Sequence, residues 1–263
     1  MFNDYLTIII LIASGFWSGV FVGMGSGTTA AIMITCLTVL LNRSVHNSIG
    51  TSLLIDSIIG IIAGLIFLRK GNVRLRSCIL LIFTGSIGSF LGSRFTSAAP
   101  ESWLLFSIGI LLILMGCSFI TKGLQRNIDY VGSKINIKRF QENKTAFFII
   151  FGLVAGFGSG FSGMGIGGII ALVLILILGY NVHTAIGTAL VMMFFISGSG
   201  AIGHALNDEI IFGAAVIAGS AAIVGAVSGS LIANKIDEDK LGRVIGVIIA
   251  ILGIAIFLRT FFN

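Results

Sequence analysis

The stretch Phe161-Ser162-Gly163-Met164-Gly165-Ile166-Gly167 decides how this chain is read, because the chain contains it twice. The other copy is Phe21-Val22-Gly23-Met24-Gly25-Ser26-Gly27. Each copy lies between two apolar segments. Each is followed some twenty residues later by a second shared motif. In the first half this is Val45-His46-Asn47-Ser48-Ile49-Gly50-Thr51-Ser52-Leu53, and in the second Val182-His183-Thr184-Ala185-Ile186-Gly187-Thr188-Ala189-Leu190.

Around these motifs the 263 residues are 56% hydrophobic and only 10% charged, with a mean hydropathy of +1.11. So few charges cannot cover the surface of a water-soluble domain of this length. Uncharged runs of about eighteen residues or more recur, as membrane-crossing helices require. A bilayer offers no water to unpaired backbone groups, which leaves helices or a closed barrel. The apolar runs are continuous rather than alternating, so an all-α membrane protein is expected. The 36 Gly stand against a single Pro, Pro100. Gly88-x-x-x-Gly92 and Gly225-x-x-x-Gly229 fit close helix packing, although Gly is also simply common in membrane helices. Cys36, Cys78 and Cys117 lie in apolar segments without metal spacing and read as buried fillers. Met1-Phe2-Asn3-Asp4 lacks the basic region of a cleaved signal peptide, so the first helix is expected to stay.

The two halves superpose at a shift of 137 residues. His46 falls on His183, Gly50-Thr51 on Gly187-Thr188, Gly92-Ser93 on Gly229-Ser230, Glu101 on Glu238 and Gly116 on Gly253. Only the glycine turn needs a shift of 140. Identities held in register across several loops mark a duplication. Each half contains five apolar segments, and the expected division is 1–120 for the first repeat, 121–145 for a basic linker and 146–263 for the second repeat. The segment after each turn is short. Thr28 to Leu41 has 14 residues, about 21 Å of helix against a hydrocarbon core of about 30 Å. Spanning and re-entrant placements of these short segments both remain open.

The net charge of +6 is concentrated in two stretches. Arg69, Lys70, Arg74 and Arg76 follow segment three, and Lys122, Arg126, Lys134, Lys138, Arg139 and Lys144 fill the linker. Two crossings separate them, so both lie on the cytoplasmic side. The charge therefore speaks to orientation, and no nucleic-acid partner is expected. With an odd number of segments per half, the copies face opposite ways, the inverted-repeat plan of many secondary transporters.

The glycine turns are the leading candidate site. Alternate glycines interrupt a helix and free N–H groups, and the next helix presents its positive end there. An oxyanion could be held so without Lys or Arg, by Gly23, Gly25 and Gly27 from one turn and Gly163, Gly165, Gly167 and Gly168 from the other. Thr28 and Thr29 could add hydroxyls. The competing reading is a tight turn at the membrane surface. His46 and His183 open segments three and eight, as interfacial residues with Ser48 and Thr184 as caps, or as carriers of a coupled proton. In the latter case Thr51, Ser52 and Thr188 lie one turn further in, toward a polar cavity. Asp56 is the one carboxylate well inside a helix. A charge at the bilayer centre costs roughly 2.5–3.5 kcal/mol on insertion scales, so Asp56 is either a proton carrier or a structural hydrogen-bond acceptor. Arg94 and His204 are weaker candidates. No phosphate loop, zinc-binding His-Glu-x-x-His or nucleophile elbow is present, so neither catalysis, a metal nor a cofactor is expected.

At these residues the sequence resembles the TauE/SafE family of small-anion membrane transporters, often called sulfite exporters. The resemblance spans the whole chain. It rests on the two glycine turns, on His46 to Leu53 and His183 to Leu190, and on the Gly-x-x-x-Gly-Ser runs ending at Ser93 and Ser230, each followed by an acidic residue opening the next helix. It implies transport of sulfite, thiosulfate or a sulfonate across the cytoplasmic (inner) membrane of a prokaryote, ion-coupled and without ATP. Members often carry Pro just beyond the glycine turn, where this chain has Thr28-Thr29 and Gly168-Ile169. A passive anion channel on the same scaffold is the alternative. The expected partners are the anion and the lipid bilayer, with homo-oligomerisation left open.

Overall fold

The computed structural model describes residues 5–23, 28–134, 143–233 and 238–260. Among these residues the protein is all-helical, with no strand. The first half contains α1 (Tyr5–Gly23), α2 (Ala30–Thr35, continued by a π turn over Cys36–Leu40), α3 (Val45–Arg69), α4 (Ile79–Ala98) and α5 (Glu101–Lys134). The second contains α6 (Lys144–Ser162), α7 (Gly167–Leu178), α8 (Val182–Ala205), α9 (Phe212–Ala233) and α10 (Glu238–Arg259). Among the described residues six stretches can cross a membrane by length and composition: α1, α3, α4, α6, α8 and Phe212–Gly229 of α9. The elements after the glycine turns are short, as expected, over Ala30–Leu40 and Gly167–Leu178. Large apolar side chains including Ile9, Trp17, Phe83, Trp103, Ile150 and Val216 point outward, as a surface solvated by lipid requires. Cys117 is also exposed, whereas Cys36 and Cys78 are buried fillers.

Several boundaries differ from the sequence expectation. α5 does not end near Ile120 but continues to Lys134, because leaving the apolar layer does not stop a helix and the polar residues that follow are adequate helix formers. The linker thus begins inside a helix, and residues 135–142 with Lys138 and Arg139 lie outside the described residues. The caps are also earlier than expected. Ser44, not Ser48, accepts from Asn47 N at 3.2 Å to start α3. Asn181, not Thr184, accepts through Oδ1 from Thr184 N at 2.8 Å to start α8. Asn and Ser are strong caps because a short side-chain oxygen reaches an N–H that the helix leaves unpaired.

The halves do not form separate bodies. α4 packs on α6 and α9 on α1, while α4 also packs on α8 and α9 on α3. α3 lies against α8, and α5 against α10. Exchanging the two halves maps this contact pattern onto itself. Individual residues follow the same exchange. A Cβ on Gly88 or Gly92 would strike the carbonyls of Leu153 or Phe157. A Cβ on Gly225 or Gly229 would strike those of Phe16 or Val20, the same positions at the 137 shift. Small residues here bring the backbones into contact.

Candidate functional site

Asp56 lies near the middle of the 25-residue α3 and is fully buried. Its side chain meets the chain where both glycine turns end. Thr29 N donates to Oδ1 at 2.8 Å. Gly165 N donates to Oδ2 at 3.1 Å, and the Thr28 hydroxyl donates to the same oxygen at 3.2 Å. Thr28 Oγ1 in turn accepts from Gly165 N at 2.9 Å and from Ala30 N at 3.1 Å. Among the described residues three donors and no acceptor face Asp56, which is the arrangement an ionised carboxylate requires. Among the described residues, the ion pairs found elsewhere do not include Asp56.

The local sequence explains how these groups reach one another. α6 ends at Ser162, and Gly163 takes a left-handed φ of +74° that a side chain would strain. Its N–H closes the last turn on Ser159 O at 2.9 Å. Residues 163–166 then leave the helix before Gly167 starts α7. This aims Gly165 N inward rather than along a helix axis. The Ser52 hydroxyl, one turn before Asp56 on α3, holds the turn from the other side through Gly163 O at 3.1 Å. Thr29 precedes α2 and bonds through its hydroxyl to Ser52 O at 3.3 Å. The starts of α2 and α7 thus both bring N–H groups and a positive helix end to Asp56.

The structure therefore brings together Asp56, Thr28, Thr29, Ser52, Gly163 and Gly165. Gly167 is buried and Gly168 half-buried in the first turn of α7, and Gly23 ends α1. Gly25 and Gly27 lie outside the described residues. One expectation is corrected: the Thr29 and Gly165 amides are not unpaired, because an internal carboxylate accepts both. The other candidates lie away from this centre. Thr51 Oγ1 accepts from Ile211 N at 3.0 Å, and Thr188 Oγ1 accepts from Arg74 N at 3.0 Å. These pairs exchange at the 137 shift and pin the loop after α8 to the first turns of α3 and the loop after α3 to the first turns of α8. His46 is ten residues before Asp56, about 15 Å along the helix. Its Nε2 faces the carbonyls of Thr96 (3.1 Å) and Ala99 (3.0 Å), and its Nδ1 lies 3.5 Å from Glu101. His183 is exposed at the start of α8.

Sequence reasoning named His204 and Arg94 only as weaker candidates and missed the polar cluster they share, at the end of α8 against the start of α3. His204 is fully buried, with Nδ1 2.7 Å from Glu209 Oε2 and Nε2 3.1 Å from Gly160 O. Ser97 donates to the same Glu209 oxygen at 2.9 Å, Asn207 donates to Ser97 at 2.6 Å, and Arg94 donates to Asn207 at 2.9 Å. Burial pushes the Glu209 carboxyl up, but the bonds from His204 and Ser97 and the His204 charge outweigh it and hold the group below its ordinary range. A His closing one apolar segment with a Glu five residues on was the available signal. An apolar cleft of about 480 Å³ borders Leu54 and Ser57 beside α3, without Asp56 among its lining residues.

Fold and site together define a polytopic helical membrane protein whose halves share one buried polar centre. The model of the family described as "Sulfite exporter TauE/SafE" matches residues 8–256, and the chain belongs to that family. A probable membrane transporter protein, YdhB, of Bacillus subtilis is 23% identical over 249 residues, covering 95% of this chain and 98% of that one. A probable membrane transporter protein of Xylella fastidiosa strain Temecula1 is 24% identical over 262 residues, covering 97% and 96%. No solved structure matches the chain. The protein is a membrane transporter of this family.

Proposed function

We propose that this chain is a proton-coupled secondary transporter that carries a small sulfur-containing oxyanion, such as sulfite, thiosulfate or a sulfonate, across a prokaryotic cytoplasmic membrane by alternating access. One observation carries the reading: N–H groups from beside both glycine turns converge on one buried carboxylate that, among the described residues, is in no ion pair with Lys or Arg. A carboxylate is itself an oxyanion. Donors spaced to hold its two oxygens suit two oxygens of a sulfite or sulfonate group.

Asp56 and the transported anion then compete for the same amides. Two negative charges at one buried centre repel strongly, so the anion enters when Asp56 takes up a proton. A neutral Asp56 can remain beside the anion and donate its O–H to it. Each anion thereby travels with a proton. Thr28, Thr29 and Ser52 supply the surrounding hydroxyls, with Gly163, Gly165, Gly167 and Gly168 allowing close approach. His46 and His183 stand at opposite rims, each able to exchange protons with one side. The contacts that exchange between halves support an inverted-repeat architecture, in which opening toward one side mirrors opening toward the other.

Labelled-sulfite uptake into proteoliposomes tests this. The protein should give saturable uptake driven by a proton gradient. Gly165→Leu should abolish uptake while leaving insertion and folding intact. Asp56→Asn should lose the response to the gradient. Undiminished uptake by Gly165→Leu would count against the turn as the site.

A further inference from the structure

The cluster at the rim opposite the basic loops has no role in the account above, yet its hydrogen bonds make a specific demand. His204 presents both ring nitrogens to acceptors, a carboxylate oxygen and a main-chain carbonyl. A neutral imidazole carries one N–H and cannot donate to both. Only the imidazolium satisfies both bonds while Glu209 is ionised. The two bonds join different parts of the molecule. Glu209 belongs to the loop after α8, and that loop lies on α3, where a Cβ on Gly50 would strike the Glu209 carbonyl. Gly160 belongs to the last turn of α6, directly before the turn that presents Gly165 to Asp56. Removing one proton from His204 must therefore break the tie either to the loop or to α6.

The opposite rim has the same backbone plan without the proton carrier. Thr188 is pinned to Arg74 N as Thr51 is pinned to Ile211 N. A Cβ on Gly187 would strike the Asn72 carbonyl as one on Gly50 would strike that of Glu209. At the 137 shift, however, His204 corresponds to Phe67 and Glu209 to Asn72. Neither can titrate. One rim is thus latched by a proton and its counterpart is not.

We propose that His204 and Glu209 form a second proton-binding site, a latch that ties the outer loop to α6 while His204 is protonated and frees the outer mouth of the transport path when that proton leaves. The charged groups around it act in known directions. His46 at the start of α3 faces Glu209 and favours its ionised form. Glu101 at the start of α5 neighbours His46, and Arg94 on α4 reaches the cluster through Asn207. Asp208 beside Glu209 is exposed to water. Glu209 is held below the ordinary carboxyl range, so its ionised form, and the contribution it makes to the latch, is present above that range and lost only as pH falls through its lowered value.

The test is accessibility, which needs no transported substrate. Ser93 is buried on α4 against Gly203 of α8, one residue from His204. Ser93→Cys is made in a chain with Cys36, Cys78 and Cys117 replaced by Ala. A membrane-impermeant maleimide is then applied from outside to intact cells. The same chain carrying Glu209→Gln is the reference, because a neutral Gln can donate to Nδ1 while Nε2–H keeps Gly160, so the latch no longer depends on a proton. Taking the ratio of the two rates cancels the thiol's own ionisation. That ratio should rise at least about threefold from pH 5 to pH 8, and His204→Phe with Glu209→Asn, which copies the other rim, should remove the rise. A ratio that stays flat, or a rise that survives in the double variant, overturns the latch. The inference rests on alternating access, but the two readings fail separately. Absence of sulfite uptake sinks the proposed function without touching the labelling result, and the reverse holds too.

Discussion

Asp56 accepts main-chain N–H groups from Thr29 and Gly165 at a point where the helices leave those groups without an acceptor of their own. A buried donor left unpaired costs about 1–3 kcal/mol. Asp56→Ala strips Thr29 N of its acceptor and leaves Gly165 N only the Thr28 hydroxyl oxygen at 2.9 Å, whereas Asp56→Asn keeps one carbonyl oxygen. The alanine variant should therefore melt at the lower temperature. Thiosulfate added in excess should raise its melting temperature more than that of the unaltered chain, since the anion then fills the position that Asp56 leaves and stabilises by mass action. Equal shifts in the two proteins would contradict shared occupancy. In the sequence Asp56 stood out as a lone carboxylate in an apolar helix, Thr28 and Thr29 as hydroxyls beside a turn, and Ser52 as a hydroxyl one turn in from His46. That they meet was not visible, because main-chain donors have no letter in a sequence. His204 was undervalued for a related reason: its meaning depends on Gly160 O, 44 residues away in the chain.

Glycines set the distances between elements. Gly-x-x-x-Gly spacing on α4 and α9 was legible, since it needs only periodicity, but the partners α6 and α1 were not. Replacing Gly92 by Ala forces a Cβ onto the Phe157 carbonyl of α6, and overpacking of this kind costs typically about 1–3 kcal/mol. Gly158, on the same α6, has nothing within 4 Å of where a Cβ would be. Gly158→Ala should be neutral or stabilising by up to about 1 kcal/mol, through helix propensity alone. Thermal unfolding in detergent separates the pair, and similar melting temperatures for the two variants would show that the close α4–α6 approach is unimportant. Element ends were the least legible feature. α5 runs on past the apolar layer to Lys134 because hydrophobicity, not helicity, changes near Ile120. The true caps, Ser44 and Asn181, lie just outside the shared His motif that drew attention inward.

At the scale of the whole molecule the duplication could be read from identities at a constant shift, but the interlocking could not. α1 completes its packing on α9 and α6 on α4, so neither half encloses a core alone, and the polar centre exists only where both halves meet. That centre treats the halves unequally: α3 supplies Asp56, and the corresponding position on α8 is Met193. The rims are unequal as well, with His204 and Glu209 at one and Phe67 and Asn72 at the other. Near-symmetry supplies the scaffold, and single residues that break it carry the charge.

The central claim is that an external oxyanion and the Asp56 carboxylate share the same amides in turn. Calorimetry of thiosulfate binding to the purified full chain near neutral pH, repeated in buffers of different ionisation enthalpy, tests it most directly by counting protons. The account predicts that about one proton is taken up per bound anion and that Asp56→Asn binds the anion with that uptake gone. Binding with no proton uptake, or with the same uptake in Asp56→Asn, would contradict it.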